Sequence, residues 1–201
     1  MRLKTRSTNL LAVALTVLTA ATFILPVASQ AQESGIQLAA QPLPPEPSPT
    51  GDIPDTQVFI DFNSPLGFSV KVPEGWSRRV VGDGVTFTST YDALAVQLSQ
   101  AAAPPSLASV KQNQVAALEK SPAAVRLTKI TAMDLPAGPA ILISFSSNSE
   151  PNAVTGKAIR LENDQYLFWK DARLATLTLS APFGADNVDQ WRMMSRSFQW
   201  R

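Results

Sequence analysis

The chain predicts an α+β domain, a mainly antiparallel twisted sheet flanked by two helices. Three observations carry this. From about residue 57 onward apolar residues alternate with polar ones at period two, the mark of half-buried strands. Short turn-forming segments separate those runs, which favours antiparallel neighbours. Only two stretches switch to helical spacing, and they lie far apart in the sequence. The whole chain has 201 residues, with 45% hydrophobic and 16% charged. That length suits one ordinary domain together with processing and linker segments.

The elements follow in order. Val58, Ile60 and Phe62 share one face of a first strand, and Phe68, Val70 and Val72 one face of a second. Asn63-Ser64-Pro65-Leu66-Gly67 turns between them, and Pro73-Glu74-Gly75 ends the second before Trp76. Gly82-Asp83-Gly84 makes a tight turn between Arg78–Val81 and Val85–Thr88, and Leu94, Val96 and Leu98 mark a further strand. The first third of the domain thus reads as a meander. The segment from Pro105 to Lys120 reads as a helix, with Ser106 as N-cap and Leu107, Val110, Ala117 and Leu118 inward. Five strands are expected next, over Val125–Met133, Ala140–Ser147, Ala153–Leu161, Gln165–Lys170 and Leu174–Ser180. A second helix spans about Ala185 to Arg196, with Asp186 and Asp189 in its first turn and Arg192 and Arg196 in its last, opposing the macrodipole. Its inward residues are Val188, Trp191 and Met194 or Ser195. Several strands are apolar on both faces, as at Ile141, Leu142 and Ile143, so the sheet is expected to be covered on both sides.

The amino-terminal third is read differently. Arg2, Lys4 and Arg6 precede an uncharged apolar run from Leu10 to Leu25, and Pro26 ends it. At about 1.5 Å per residue the run falls short of the ~30 Å hydrocarbon core and suits a signal peptide. Ser29 and Ala31 supply the small residues for cleavage after Ala31. Residues 1–31 are therefore expected to be a signal peptide, the alternative being an uncleaved membrane anchor. The expected location is extracytoplasmic: secreted, periplasmic or in the cell envelope. Six prolines between Pro42 and Pro54 predict a Pro-rich disordered linker over 32–56, extended in the polyproline II manner, either a tether or a residual tail. The domain is then 57–201.

Composition excludes much chemistry. There is no cysteine and no histidine, which removes disulfides, thiolate nucleophiles, sulfur-based metal sites and the Ser-His-Asp triad. Loss of residues 1–31 takes three basic residues and no acids, leaving fourteen basic against sixteen acidic residues, a net charge of −2. No basic run lies outside the signal segment, so nucleic acid is not an expected partner, and a membrane is met only through an uncleaved signal segment.

The segment Gly67-Phe68-Ser69-Val70-Lys71-Val72-Pro73-Glu74-Gly75-Trp76 resembles the opening strand and Pro-x-Gly-Trp turn of the PsbP-like superfamily. That group includes PsbP and bacterial exported proteins of the LpqN type. The carboxyl end is also similar: Leu174 to Pro182 as a strand, the Trp191 helix, then Ser197-Phe198-Gln199-Trp200 as a closing strand. The resemblance implies a twisted sheet between helical layers, an α/β/α sandwich, and a non-enzymatic accessory or binding role outside the cytoplasm. It carries no catalytic residue onto this chain. The histidines of metal-binding PsbP members and the acylated cysteine of LpqN-type lipoproteins are both missing.

No catalytic residue, metal site or cofactor is expected. Glu162 and Asp164 are the only pair that offers acid–base hydrolysis, and Asn163-Asp164 reads first as a hairpin turn between strands. Trp76 with Arg78 and Arg79 is the expected ligand or partner surface, a stacking and anion-contact patch, weighed against simple core packing of Trp76. The functional expectation is an exported, non-enzymatic binding or accessory protein of the bacterial envelope, meeting an envelope protein or glycolipid. Two alternatives stand beside it: a carrier of a lipid or small amphipathic ligand, and a carboxylate-pair hydrolase.

Overall fold

A computed structural model of the chain describes residues 40–45 and 51–201. The expected signal segment, 1–31, lies outside the described residues. Among the described residues ten strands and two helices form an α+β body. The strands are β1 (Phe59–Ser64), β2 (Phe68–Pro73), β3 (Ser77–Val81), β4 (Gly84–Ser89), β5 (Asp92–Gln100), β6 (Arg126–Leu135), β7 (Gly138–Asn148), β8 (Arg160–Lys170), β9 (Arg173–Pro182) and β10 (Gln199–Trp200). Helix α1 covers 107–119 and helix α2 covers Val188–Ser197.

These strands build two antiparallel sheets, a seven-stranded one in the order β3-β4-β5-β9-β8-β7-β6 and a three-stranded one in the order β1-β2-β10. The expected meander is therefore split. β3, β4 and β5 continue as one, but the β1–β2 hairpin leaves the large sheet and closes with the C-terminal β10. Gly67 sits in the β1–β2 turn at φ +87°, where a Cβ would also meet the Arg173 guanidinium at 2.9 Å. The positive φ singles out glycine.

Alternation sends the apolar residues of β7 and β8 to both faces of the large sheet, as expected of a sheet covered on two sides. On one face Phe87, Leu94, Val96, Leu142, Phe168, Leu177 and Leu179 pack against Phe68, Val70 and Val72 of the small sheet, with Met194 of α2 and Phe198. Phe198 stacks on Phe168 at 4.5 Å and on Phe68 at 5.7 Å, so one ring joins both sheets. On the other face Ile141, Ile143, Phe145, Leu167 and Leu174 meet Val110 and Val115 of α1.

Several expectations need correction. Ala153–Leu161 is not a strand: 153–155 form a turn, and β8 starts only at Arg160 and runs unbroken to Lys170. Glu162-Asn163-Asp164 therefore lies within a strand and not in a hairpin turn. Register explains this, since Asn163 is paired on both sides, with Phe145 and with Ser180, and its side chain bonds Ser147 and Ser180. In α1 the expected inward residues Leu107 and Ala117 are exposed. The middle of this helix, Lys111–Val115, is a π segment, so Val110 and Val115, five apart, share the buried face. Ser106 does cap it, in a reciprocal box with Ser109. In α2, Val188 is exposed while Gln190, Met194 and Ser195 are buried. Val58, just before β1, and Ile60 within it are exposed, since this edge strand has only β2 beside it, and Phe62 alone of that set packs, 5.0 Å from Phe87.

The packed body also begins before residue 57. Ile53 is 5% exposed and belongs to the main core. Its N–H donates to Asn187 Oδ1 at 2.7 Å, and Asn187 Nδ2 donates to the Gly51 carbonyl at 2.7 Å. Asn187 stands at the N-cap of α2 but makes no cap bond, its side chain being committed to this strap. Further back, Asn148 holds Leu43 N–H at 3.0 Å and the Gln41 carbonyl at 2.8 Å.

Candidate functional site

Among the described residues a concavity with several polar side chains lies between strands β6–β8 and helix α2. Its volume is about 710 Å³. Strands β6, β7 and β8 form the floor, and α2 with the connector after β9 forms the wall. Strand alternation places Ser144 and Ser146 on the same face as Leu142, and the antiparallel register sets Asp164 opposite Ser144 and Glu162 opposite Ser146. The result is two carboxylates and two hydroxyls side by side on a floor that also carries Met133, Leu135, Leu142 and the Tyr166 ring. Trp191 and Phe183 line the wall, and the cations Lys129, Arg192 and Arg196 stand along the groove. Arg192 is paired with Asp189 at 2.6 Å, whereas Lys129 and Arg196 make no ion pair among the described residues.

Hydrogen bonds hold the floor in place. The Ser144 hydroxyl donates to Asp164 Oδ1 at 2.5 Å, and the Tyr166 hydroxyl points at Asp164 Oδ2 at 3.4 Å. Burial pushes the Tyr166 hydroxyl up to about 12, with the Ser195 hydroxyl pulling the other way and the Asp164 carboxylate adding to the rise. Tyr166 is therefore a neutral donor. Burial likewise raises the Glu162 carboxyl; the Gly184 N–H opposes this and the charge of Asp164 supports it. At the end of the floor, on the same face as Glu162, lies Arg160, only 4% exposed and with no acidic partner within ion-pair distance among the described residues. Its guanidinium donates to Ser146 Oγ at 2.6 Å, Asn148 Oδ1 at 2.9 Å and the Ala124 carbonyl at 2.8 Å. Arg160 thus orients Ser146 and ties the end of β7 to the turn before β6. Burial, then the nearby charge of Arg126, lowers its affinity for a proton.

This arrangement suits binding through several hydrogen bonds. Carboxylate oxygens accept from hydroxyl or amino groups, and the aromatic wall takes an apolar edge of the same ligand. A carboxylate is too weak a base to strip a serine hydroxyl at neutral pH, so the Ser144–Asp164 contact is a hydrogen bond and not an activated nucleophile. Among the described residues no group of three or more acids gathers to hold a metal ion, and no helix is long and apolar enough to cross a membrane.

The residues singled out in the sequence lie elsewhere. Trp76 is half-buried and packs against the main core. Arg78 and Arg79 are exposed neighbours on β3, so alternation sends them to opposite faces. Arg78 lies 5.8 Å from the centre of the Phe62 ring, a cation–π distance. The three do not form one patch. Of the groove residues, Glu162 and Asp164 are legible in the sequence as an acid pair, though in a segment that reads as a turn. Their spacing of two was the available signal, since two acids two apart on a strand share a face. A second, more apolar cleft of about 600 Å³ lies on the opposite face, between Pro104, Pro105 and Leu107 and the strand residues Ile141, Leu167 and Trp169.

No family model and no curated protein matches the chain. Solved structures do. Cyanobacterial PsbP (CyanoP) from Synechocystis sp. PCC 6803 is 14% identical, covers 75% of this chain and 98% of its own, and has a TM-score of 0.52. The Saccharomyces cerevisiae Ran-binding protein Mog1p is 13% identical, covers 72% of this chain and 96% of its own, and has a TM-score of 0.48. The likeness to CyanoP makes the fold PsbP-like, an α+β arrangement of antiparallel sheets and two helices.

Proposed function

We propose that this protein is an exported, non-enzymatic binding or accessory protein of the bacterial cell envelope, and that the β6–β8/α2 groove is its binding surface. The groove floor carries the reading: Asp164, Glu162, Ser144 and Tyr166 present acceptors and donors beside the Trp191 ring, chemistry suited to a hydroxyl-rich group such as the sugar of an envelope glycolipid. The PsbP-like fold and the signal-like amino terminus support it further. The LpqN-type comparison drawn from the sequence belongs to the same reading, with attachment through a partner or an uncleaved signal segment in place of an acyl cysteine.

The test is a titration of the protein with neutral mono- and disaccharides, followed by amide and indole chemical shifts. Shifts should centre on Ser144, Asp164 and Trp191, and Trp191→Ala should weaken binding about tenfold, the loss of one stacked ring. Shifts absent from the groove, or unchanged affinity in that variant, count against it. Export is tested by cell fractionation with N-terminal sequencing, which should find mature protein starting at Gln32.

The apolar cleft beneath Pro104 and Leu107 favours one second reading, carriage of a small amphipathic ligand. It predicts saturable uptake of a fluorescent fatty acid that Leu107→Asp abolishes. The carboxylate-pair hydrolase gains less, because Ser144 and Tyr166 already engage Asp164.

A further inference from the structure

The seven-stranded sheet ends in two edges of different character. β6 carries a bulge between Leu127 and Lys129, an irregularity that interrupts pairing with another chain. β3 has none. Its five residues run in unbroken register with β4, every one is exposed, and Val80 and Val81 are 63% and 60% exposed. In a two-residue hairpin the residues flanking the turn form the hydrogen-bonded pair, so Arg78 and Val80 direct their backbone groups away from β4. Arg78 and Arg79 place one cation on each face of this edge, and neither has an acidic partner within ion-pair distance among the described residues.

We infer that β3 is a docking edge for an extended acidic segment of a partner protein, which adds to the sheet as an eighth strand. Backbone pairing selects an extended chain, and the side chains select its sequence. In the antiparallel sense of every other pair in this sheet, two small apolar residues lie beside Val81 and Val80, and two consecutive acids follow to answer Arg79 and Arg78, one on each face. A second copy of this chain does not supply that pattern, since the sequence has no two adjacent acids. The inference is independent of the groove.

The test uses the full chain and a fluorescent eight-residue peptide whose middle four residues are two valines followed by two acids. Anisotropy should rise saturably, weaken at higher salt, and fall at least about tenfold in affinity with Arg78→Glu/Arg79→Glu. The same loss is expected when alternate peptide nitrogens are methylated, which leaves the protein untouched. A peptide with lysines for the two acids should not bind. Trp191→Ala should bind the acidic peptide normally, which separates this edge from the groove. Absence of saturable binding, equal binding of the lysine peptide, or insensitivity to methylation overturns the inference. Concentration-dependent dimerisation lost on the same charge reversal also overturns it, in favour of a second copy.

Discussion

At Asp171 and Ala172 the chain turns from β8 into β9 with φ of +49° and +60°. Two successive positive φ values in a two-residue hairpin define a type I′ turn, which prefers glycine at the second position. Alanine there bears the left-handed cost that glycine avoids, so Ala172→Gly should stabilise the protein by about 1 kcal/mol and raise its melting temperature by about 2–4 °C. Asp92 is the titratable counterpart. It is 8% exposed at the start of β5, and burial, then the charge of Asp52, push its carboxyl up to about 7, against a weaker pull from Asn187 Nδ2. The folded state then holds a proton that the unfolded state releases near 4. Stability contributed by neutral Asp92 is present below that point and is lost as pH rises to about 7. Denaturant unfolding between pH 4 and 8 should show this decline, and Asp92→Asn should flatten it and stabilise at pH 8 by on the order of 1 kcal/mol. An unchanged slope would sink the assignment.

Among the elements, α1 shows how local spacing and tertiary packing diverge. Its sequence fits an α-helix, yet the second buried contact falls five residues after the first, at Val115, and the backbone widens into a π segment to deliver it. Deleting the exposed Asn113 sets Val110 and Val115 four apart, the spacing of an ordinary helix. The shortened chain should fold, with the same two residues buried and a melting temperature close to that of the parent. Loss of cooperative melting would show that the π segment has another purpose. α2 was legible from its charges, Asp189 in the first turn and Arg196 in the last. Its inward face was less so, because a buried Gln190 reads as polar until its partners, the Ile53 carbonyl and Asp55, are seen.

For the whole molecule the decisive contacts are made by distant parts of the chain. The strap from Gly51 to Asp55 closes over the start of α2, more than a hundred and thirty residues away in sequence. A chain beginning at Val58 should therefore melt lower than one beginning at Ala40, and Ile53→Ala within the longer chain should cost about 2–4 kcal/mol, measured by denaturant unfolding. Equal stability of the two lengths would place the boundary back at residue 57. The C-terminus is tied in the same way, with Arg201 N–H on the Gly67 carbonyl at 2.9 Å and β10 paired to β2.

By itself the sequence determined the class of fold, most strands and both helices, because period-two and helical spacing are local properties that each segment carries with it. It also determined what chemistry is closed, through its missing cysteine and histidine. Only the tertiary structure decided that β1 and β2 leave the main sheet, that Asn163 sits in mid-strand, and that Glu162 and Asp164 face Trp191 across a groove. Those outcomes depend on which strands become neighbours, and pairing energy comes from residues far apart in the chain.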